Sequence, residues 1–125
     1  MYRILAIGLV WLAFGPAASA WAQSAVVELV MFESDACPFC QQWNAEIGGI
    51  YAETPEGRAA PLRRVDLHEK PPDDLRNIQR SVIYTPTFVL LRQGEEIGRI
   101  AGYPGEHFFW PLLDNLLDEA GGSKN

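Results

Sequence analysis

The sequence predicts an α/β fold, a minimal four-stranded mixed sheet flanked by helices. Two observations predict it. Runs of Val, Ile, Leu and Phe alternate with helix-periodic segments in the order strand, helix, strand, helix, strand, strand, helix. The first two strands are joined through a helix, which calls for a right-handed parallel crossover, whereas a Gly-containing turn between the last two makes them antiparallel.

Each element has its own warrant. Ala25 to Phe32 is a nearly continuous apolar run with β-branched residues, as in a strand buried on both faces. Asp35-Ala36-Cys37-Pro38 opens a helix, because proline is favoured at the first helical position. Phe39, Trp43, Ile47 and Ile50 then recur at spacings of four, four and three, one face of a helix that Gly48-Gly49 ends. On that face Trp43 reads as core or as a rim residue of the cysteine site. Tyr51 to Pro61 holds Pro55, Gly57 and several charges, and reads as loop or a ragged helix end.

Leu62 to Leu67 alternates as a second strand, and Asp73 to Gln79 is a short helix with acids in its first turn. Thr87 to Leu91 is a buried strand, Gln93-Gly94-Glu95 a hairpin turn, and Glu96 to Ile100 an edge strand. The closing helix carries Phe108, Phe109, Leu112, Leu113, Leu116 and Leu117, with Phe108, Phe109 and Trp110 read as core. Pro111 inside that pattern predicts a break near Trp110. There is no internal repeat.

The first residues stand apart. Arg3 precedes an unbroken apolar run, Ile4 to Phe14, followed by Gly15-Pro16 and the small residues Ala17 to Ala22. This is the layout of a secretory signal peptide over residues 1–22, cleaved after Ala22 or, as the alternative, after Ala20. An uncleaved membrane anchor is the competing reading; it wants about 20 apolar residues, and here Gly15-Pro16 and Ser19 interrupt the run, so cleavage with no stable membrane insertion afterwards is the expectation. The short n-region, with its single Arg3, is of bacterial type, which places the mature domain, residues 23–125, in the periplasm. Removing Arg3 takes the net charge from −6 to −7. An acidic chain whose only adjacent basic pair is Arg63-Arg64 excludes nucleic-acid binding. Two cysteines exclude a disulfide-stapled scaffold. His68 and His107 read as surface residues.

The chemistry lies in Cys37-Pro38-Phe39-Cys40, a C-x-x-C between a strand and a helix. Residues three apart in a first helical turn share a face, so the two sulfurs come within bonding distance. The unpaired N–H groups and positive end of the helix stabilise a thiolate on Cys37, whereas Glu33 and Asp35 oppose it. Cys37 is thus the expected nucleophile and Cys40 the resolving thiol. A structural disulfide, half a zinc site and two inert buried thiols are the competing readings. The first closes too short a loop to staple much. The second has only His68 and His107 to complete it.

With Tyr84-Thr85-Pro86-Thr87 directly before a buried strand, the arrangement resembles the thioredoxin family over about residues 25–119. The resemblance implies that Pro86 is a cis-proline against the cysteines. It implies that Thr85 offers backbone groups to a substrate peptide, its hydroxyl also being able to bond the Cys37 sulfur. Phe39, between the cysteines, is expected to point outward as part of a docking patch. Three departures stand out. The extra first strand and helix of thioredoxin are missing, the dipeptide is Pro-Phe, and Met31 stands where a buried carboxylate is usual, leaving Glu33, read as a solvated strand end, as the nearest acid. Pro-Phe resembles the Pro-aromatic pair of glutaredoxins, but Gly102 stands alone where a glutathione site wants a Gly-Gly or Gly-Asp pair.

The stretch Gly102 to Trp110, with the leader and Cys-Pro-Phe-Cys, looks most like small periplasmic thioredoxins associated with bacterial sulfur-oxidation (Sox) systems. That resemblance implies a monomeric reductase of protein disulfides or oxidised cysteines, fed by a membrane thiol donor. No organic cofactor and no metal is called for, since the Cys37–Cys40 dithiol itself carries the electrons. The alternatives are a disulfide oxidant or isomerase of the same fold, or a non-catalytic peptide- or metal-binding module.

Overall fold

A computed structural model describes residues 26–121. The leader and its cleavage site therefore lie outside the described residues. Strand β1 (Val27–Glu33) runs through the middle of a four-stranded sheet of order β2-β1-β3-β4. Its apolar run is continuous because both faces are covered: Leu29, Val30, Met31 and Phe32 are all fully buried. Successive side chains point to opposite faces. Leu29 and Met31 join one core cluster with Trp43, Phe88, Leu90, Phe109 and Leu113. Val30 and Phe32 join a second with Val65, Leu75, Val82, Val89 and Leu91.

β2 (Leu62–Asp66) pairs parallel with β1, as expected of a helical crossover. β3 (Thr87–Arg92) pairs antiparallel with β1 on its other side, and β4 (Glu95–Ala101) antiparallel with β3. Gln93 and Gly94 alone form the hairpin turn, at φ 51° and 80°. Two consecutive positive φ values are what a tight type I′ connection demands. Glu95, expected in the turn, is already paired with Arg92.

Helix α1 (Pro38–Trp43) begins at Pro38 and runs into a π-helical turn, Asn44–Gly48. Its inward face is Cys40, Trp43 and Ile47. Ile50, which fits the apolar spacing, is instead 50% exposed, and Phe39 at the head of the same row is 57% exposed. The segment read as loop contains a helical turn, Tyr51–Glu53, and helix α2 (Pro55–Ala59), capped by the Thr54 hydroxyl on the Gly57 amide. After a turn at Asp73–Leu75, α3 (Arg76–Ser81) follows. Ile78 and Leu75, from this pair of turns, pack on the Val30 and Phe32 face.

Helix α4 (Glu106–Glu119) is unbroken at Pro111, contrary to the expected break. Proline in the second turn removes one amide partner, that of the His107 carbonyl, on a residue open to solvent. Phe109, Leu113 and Leu117 form its buried row. Phe108, expected in the core, is 66% exposed. Arg63 and Arg64 are spent in ion pairs: Arg63 with Asp74 and Glu28, Arg64 with Glu33. Among the described residues no helix is long and apolar enough to cross a membrane.

Candidate functional site

The register of the sheet brings three connections to one end. The carboxyl end of β1 lies beside the start of β3, where Phe32 pairs with Thr87, and Thr87 in turn pairs with Ala101 at the end of β4. The Cys-x-x-C turn follows β1, Thr85-Pro86 precedes β3, and Gly102 follows β4, so all three must meet. The chain leaves β1 for β2 on one side and returns to β3 on the other. In open α/β sheets such a reversal leaves a crevice at the strand end.

Cys37 and Cys40 are joined in a disulfide, their Cα atoms 5.2 Å apart. Cys37 is the N-cap of α1: its Sγ accepts the Cys40 amide at 3.1 Å. That amide is one of the N–H groups a helix start leaves unpaired, so the fold spends it on sulfur. Both cysteines are buried, and Phe39 between them points outward as expected.

The Thr85–Pro86 peptide bond is cis. The Pro86 carbonyl accepts the Gly102 amide at 2.7 Å, which fastens the loop after β4 to the proline loop. The Thr85 hydroxyl lies 3.4 Å from the Ser34 hydroxyl, joining the turn after β1 to the proline loop; the hydrogen bond on the Cys37 sulfur comes from the Cys40 amide. Ser34 was not singled out from the sequence, and only its place just after a strand that ends at the cysteines hints at it. Ile83 and Tyr84, ahead of Thr85, are 79% and 66% exposed. Between Phe39 and the segment Ala101–Pro104 lies a cleft of about 280 Å³.

The disulfide lies in an apolar cluster that also holds Trp43, whose Nε1 is buried without a hydrogen-bond partner among the described residues. Met31 is fully buried in the cluster that holds both cysteines. Glu33 is no free strand-end charge: its carboxylate takes the Arg64 Nε at 2.5 Å. The same guanidinium donates to Asn44 Oδ1 at 2.6 Å and lies 5.9 Å from the Trp43 ring centre. Trp43 is core, against Tyr51, Phe88 and Phe109.

Two more residues escaped the sequence reading. The Tyr103 hydroxyl donates to Glu46 Oε2 in a short hydrogen bond, and Gln42 donates to Oε1 at 3.0 Å. The Tyr103 and Gln42 hydrogen bonds, helped by the charge of His107, hold the Glu46 carboxyl below the usual carboxylate range. Burial, then the bond to Glu46, pushes the Tyr103 phenol above its ordinary range. Among the described residues no three His, Cys, Asp or Glu side chains gather where they could hold a metal ion.

Comparison with known proteins bears on this geometry. A family described as Thioredoxin-like domain matches residues 18–117. The periplasmic thioredoxin SoxS from Paracoccus pantotrophus, in its reduced form, is 46% identical, with 75% of this chain and 98% of that chain covered at a TM-score of 0.69. Thioredoxin f2 from Chlamydomonas reinhardtii (18% identical, 82% and 85% covered, TM-score 0.58) shares the fold. So does the thioredoxin of Fasciola hepatica (21% identical, 71% and 79% covered, TM-score 0.55). No curated protein matches the sequence. With a cysteine pair at the head of a helix, a cis-proline loop beside it and a match over most of its length, the chain belongs to the thioredoxin-like family and is a thiol–disulfide oxidoreductase.

Proposed function

We propose that the chain is a periplasmic reductase of protein disulfides or oxidised cysteines, serving a bacterial sulfur-oxidation system and recharged by a membrane thiol donor. The observation that carries the thiol chemistry is Cys37 as the N-cap of α1, its sulfur on the Cys40 amide. The sequence layout of residues 1–22 and the likeness to a periplasmic thioredoxin support the compartment.

In the reaction the Cys37 thiolate attacks one sulfur of a partner disulfide and expels the other as a thiolate. The Cys40 thiolate then attacks the Cys37 sulfur and releases the second partner thiol. The dithiol gives up two electrons and becomes the Cys37–Cys40 disulfide, with no organic cofactor. Thr85 offers backbone groups to an extended peptide of the partner beside Pro86, and Pro38 and Phe39 shape the turn that presents the sulfur. The cleft beside Phe39 takes a side chain of that peptide.

Equilibration of the Cys37–Cys40 pair with thiol buffers tests the direction of flow. A value towards about −270 mV is expected for a reductant, and one near −120 mV would make the protein a disulfide donor instead. Cys40→Ser should trap partners as mixed disulfides and Cys37→Ser should trap few. If neither traps a partner and zinc co-purifies, the protein is a binding module.

A further inference from the structure

The wall of the cleft opposite Phe39 is a short irregular segment. Gly102 and Gly105 bracket Tyr103-Pro104, and both glycines have positive φ, 85° and 96°. Such a stretch has no ladder or helix to hold it. Its fastenings are few. At one end the Gly102 amide donates to the Pro86 carbonyl; at the other the Gly105 carbonyl accepts the Phe109 amide at 2.9 Å. Between them the Tyr103 ring is 6% exposed, packed edge-on to Phe109 at 6.0 Å. Its hydroxyl reaches out of the core to Glu46, an exposed residue of the π-helical turn after α1. The carboxylate is aimed from its own helix, because Gln42 holds its other oxygen.

The consequence is a strut. Phe39 sits on the first turn of α1 and Glu46 on the turn that follows, so the helix that supplies one wall of the cleft also holds the other. We propose that Glu46 and Tyr103 are positioning residues that set the width of the cleft and so the grip on the partner's side chain. The inference rests on the reductase reading above. Neither residue touches the sulfurs in this role; they act through the segment Gly102–Pro104. A wall fixed before binding has less to lose when a peptide is ordered against it. A small disulfide that leaves the cleft empty gains nothing from that order.

The test compares two oxidants of the reduced protein: insulin, a polypeptide disulfide, and bis(2-hydroxyethyl) disulfide. For Glu46→Ala the ratio of the insulin rate to the small-disulfide rate should fall about fivefold, on the scale of one ordinary hydrogen bond. Tyr103→Phe, which keeps the ring on Phe109, should lower the ratio by a similar factor. The double variant should fall no further, because both remove the same bond. Glu46→Gln, whose amide oxygen still accepts from Tyr103, should restore most of the ratio. Glu46 is exposed, so an unchanged urea midpoint for Glu46→Ala separates positioning from unfolding. A ratio that holds in every variant, equal loss with both oxidants, or additive losses in the double variant would overturn the proposal. A wild-type protein that reduces neither oxidant defeats the reductase reading itself, and this inference with it.

Discussion

Alanine normally improves a helix when it replaces glycine, by about 0.5–1 kcal/mol. At Gly57 the sign should reverse. Gly57 lies inside α2 and is buried against the preceding helical turn. A Cβ there would stand 1.8 Å from the Tyr51 carbonyl oxygen and 2.6 Å from its carbon. The obstacle is backbone, so the two turns must part by about 1.5 Å before carbon and oxygen reach ordinary contact. That movement breaks the lock between them. The Tyr51 carbonyl accepts the Thr54 hydroxyl at 2.7 Å and the Thr54 amide at 3.1 Å, and the Thr54 hydroxyl caps the Gly57 amide at 3.0 Å. Three hydrogen bonds at about 1 kcal/mol each put the loss near 3 kcal/mol, a large part of the 5–15 kcal/mol that holds a typical domain. Urea unfolding of the oxidised protein, followed by tryptophan fluorescence, measures it. Gly49→Ala is the control: it has helical φ, −73°, and nothing within 4 Å of a new Cβ. It should gain about 0.4–1 kcal/mol. A Gly57→Ala protein as stable as wild type would refute the close approach.

Phe39→Ser should leave stability within about 0.5 kcal/mol, because the ring is 57% exposed, while the rate with insulin falls. Unfolding and turnover measured side by side check both halves. The paired hydrogen bonds from Arg63, at 2.7 and 3.0 Å, hold the Asp74 carboxyl below the usual carboxylate range. A lowered folded-state value gives stability that is present above the ordinary carboxylate pKa and lost as pH falls through the lowered one. The pair is solvent-exposed, with 60% of the Asp74 side chain open, so Asp74→Asn should cost less than about 1 kcal/mol at neutral pH. The difference from wild type should shrink as pH falls below the ordinary carboxylate range, by urea midpoints at neutral and acid pH.

The strands were readable because a strand covered on both faces needs a continuous apolar run, and Leu29 to Phe32 supplies one. The hairpin was readable from one glycine. The cysteine turn was readable because Pro38 marks a helix start. What escaped was of two kinds. Some of it was local chemistry without apolar periodicity: α2 is announced by Thr54 as cap and Pro55 as first residue, but no hydrophobic stripe accompanies it. Phase misled in the same way. The π-helical turn Asn44–Gly48 packs more residues into a turn than an α-helix does, so Ile50 swings out to solvent. In α4 the rows Phe108/Leu112 and Phe109/Leu113 are equally apolar, and only the docked helix shows which one the sheet covers. The rest was distance. Tyr103 and Glu46 lie 57 positions apart, and no local pattern announces such a pair.

The two faces of the sheet make a last prediction about the redox pair. Both sulfurs belong to the cluster of Trp43, Phe109 and Leu113, while Leu75 packs in the other, across the sheet from them. Leu75 and Leu113 are both fully buried, so either change to alanine should cost about 2–5 kcal/mol. A reduction potential reports only the difference between the oxidised and reduced states. A cavity at Leu75 is felt equally by both, so Leu75→Ala should lower stability and leave the potential where it was. A cavity at Leu113 loosens the packing that the disulfide and the dithiol each press against. Its cost should differ between the two states, and a difference of about 1 kcal/mol appears as about 20 mV. Unfolding each variant with and without reductant closes the cycle independently of the thiol-buffer titration. If Leu75→Ala moves the potential as far as Leu113→Ala does, the sheet does not insulate the site, and the division of the core into two faces carries no functional meaning.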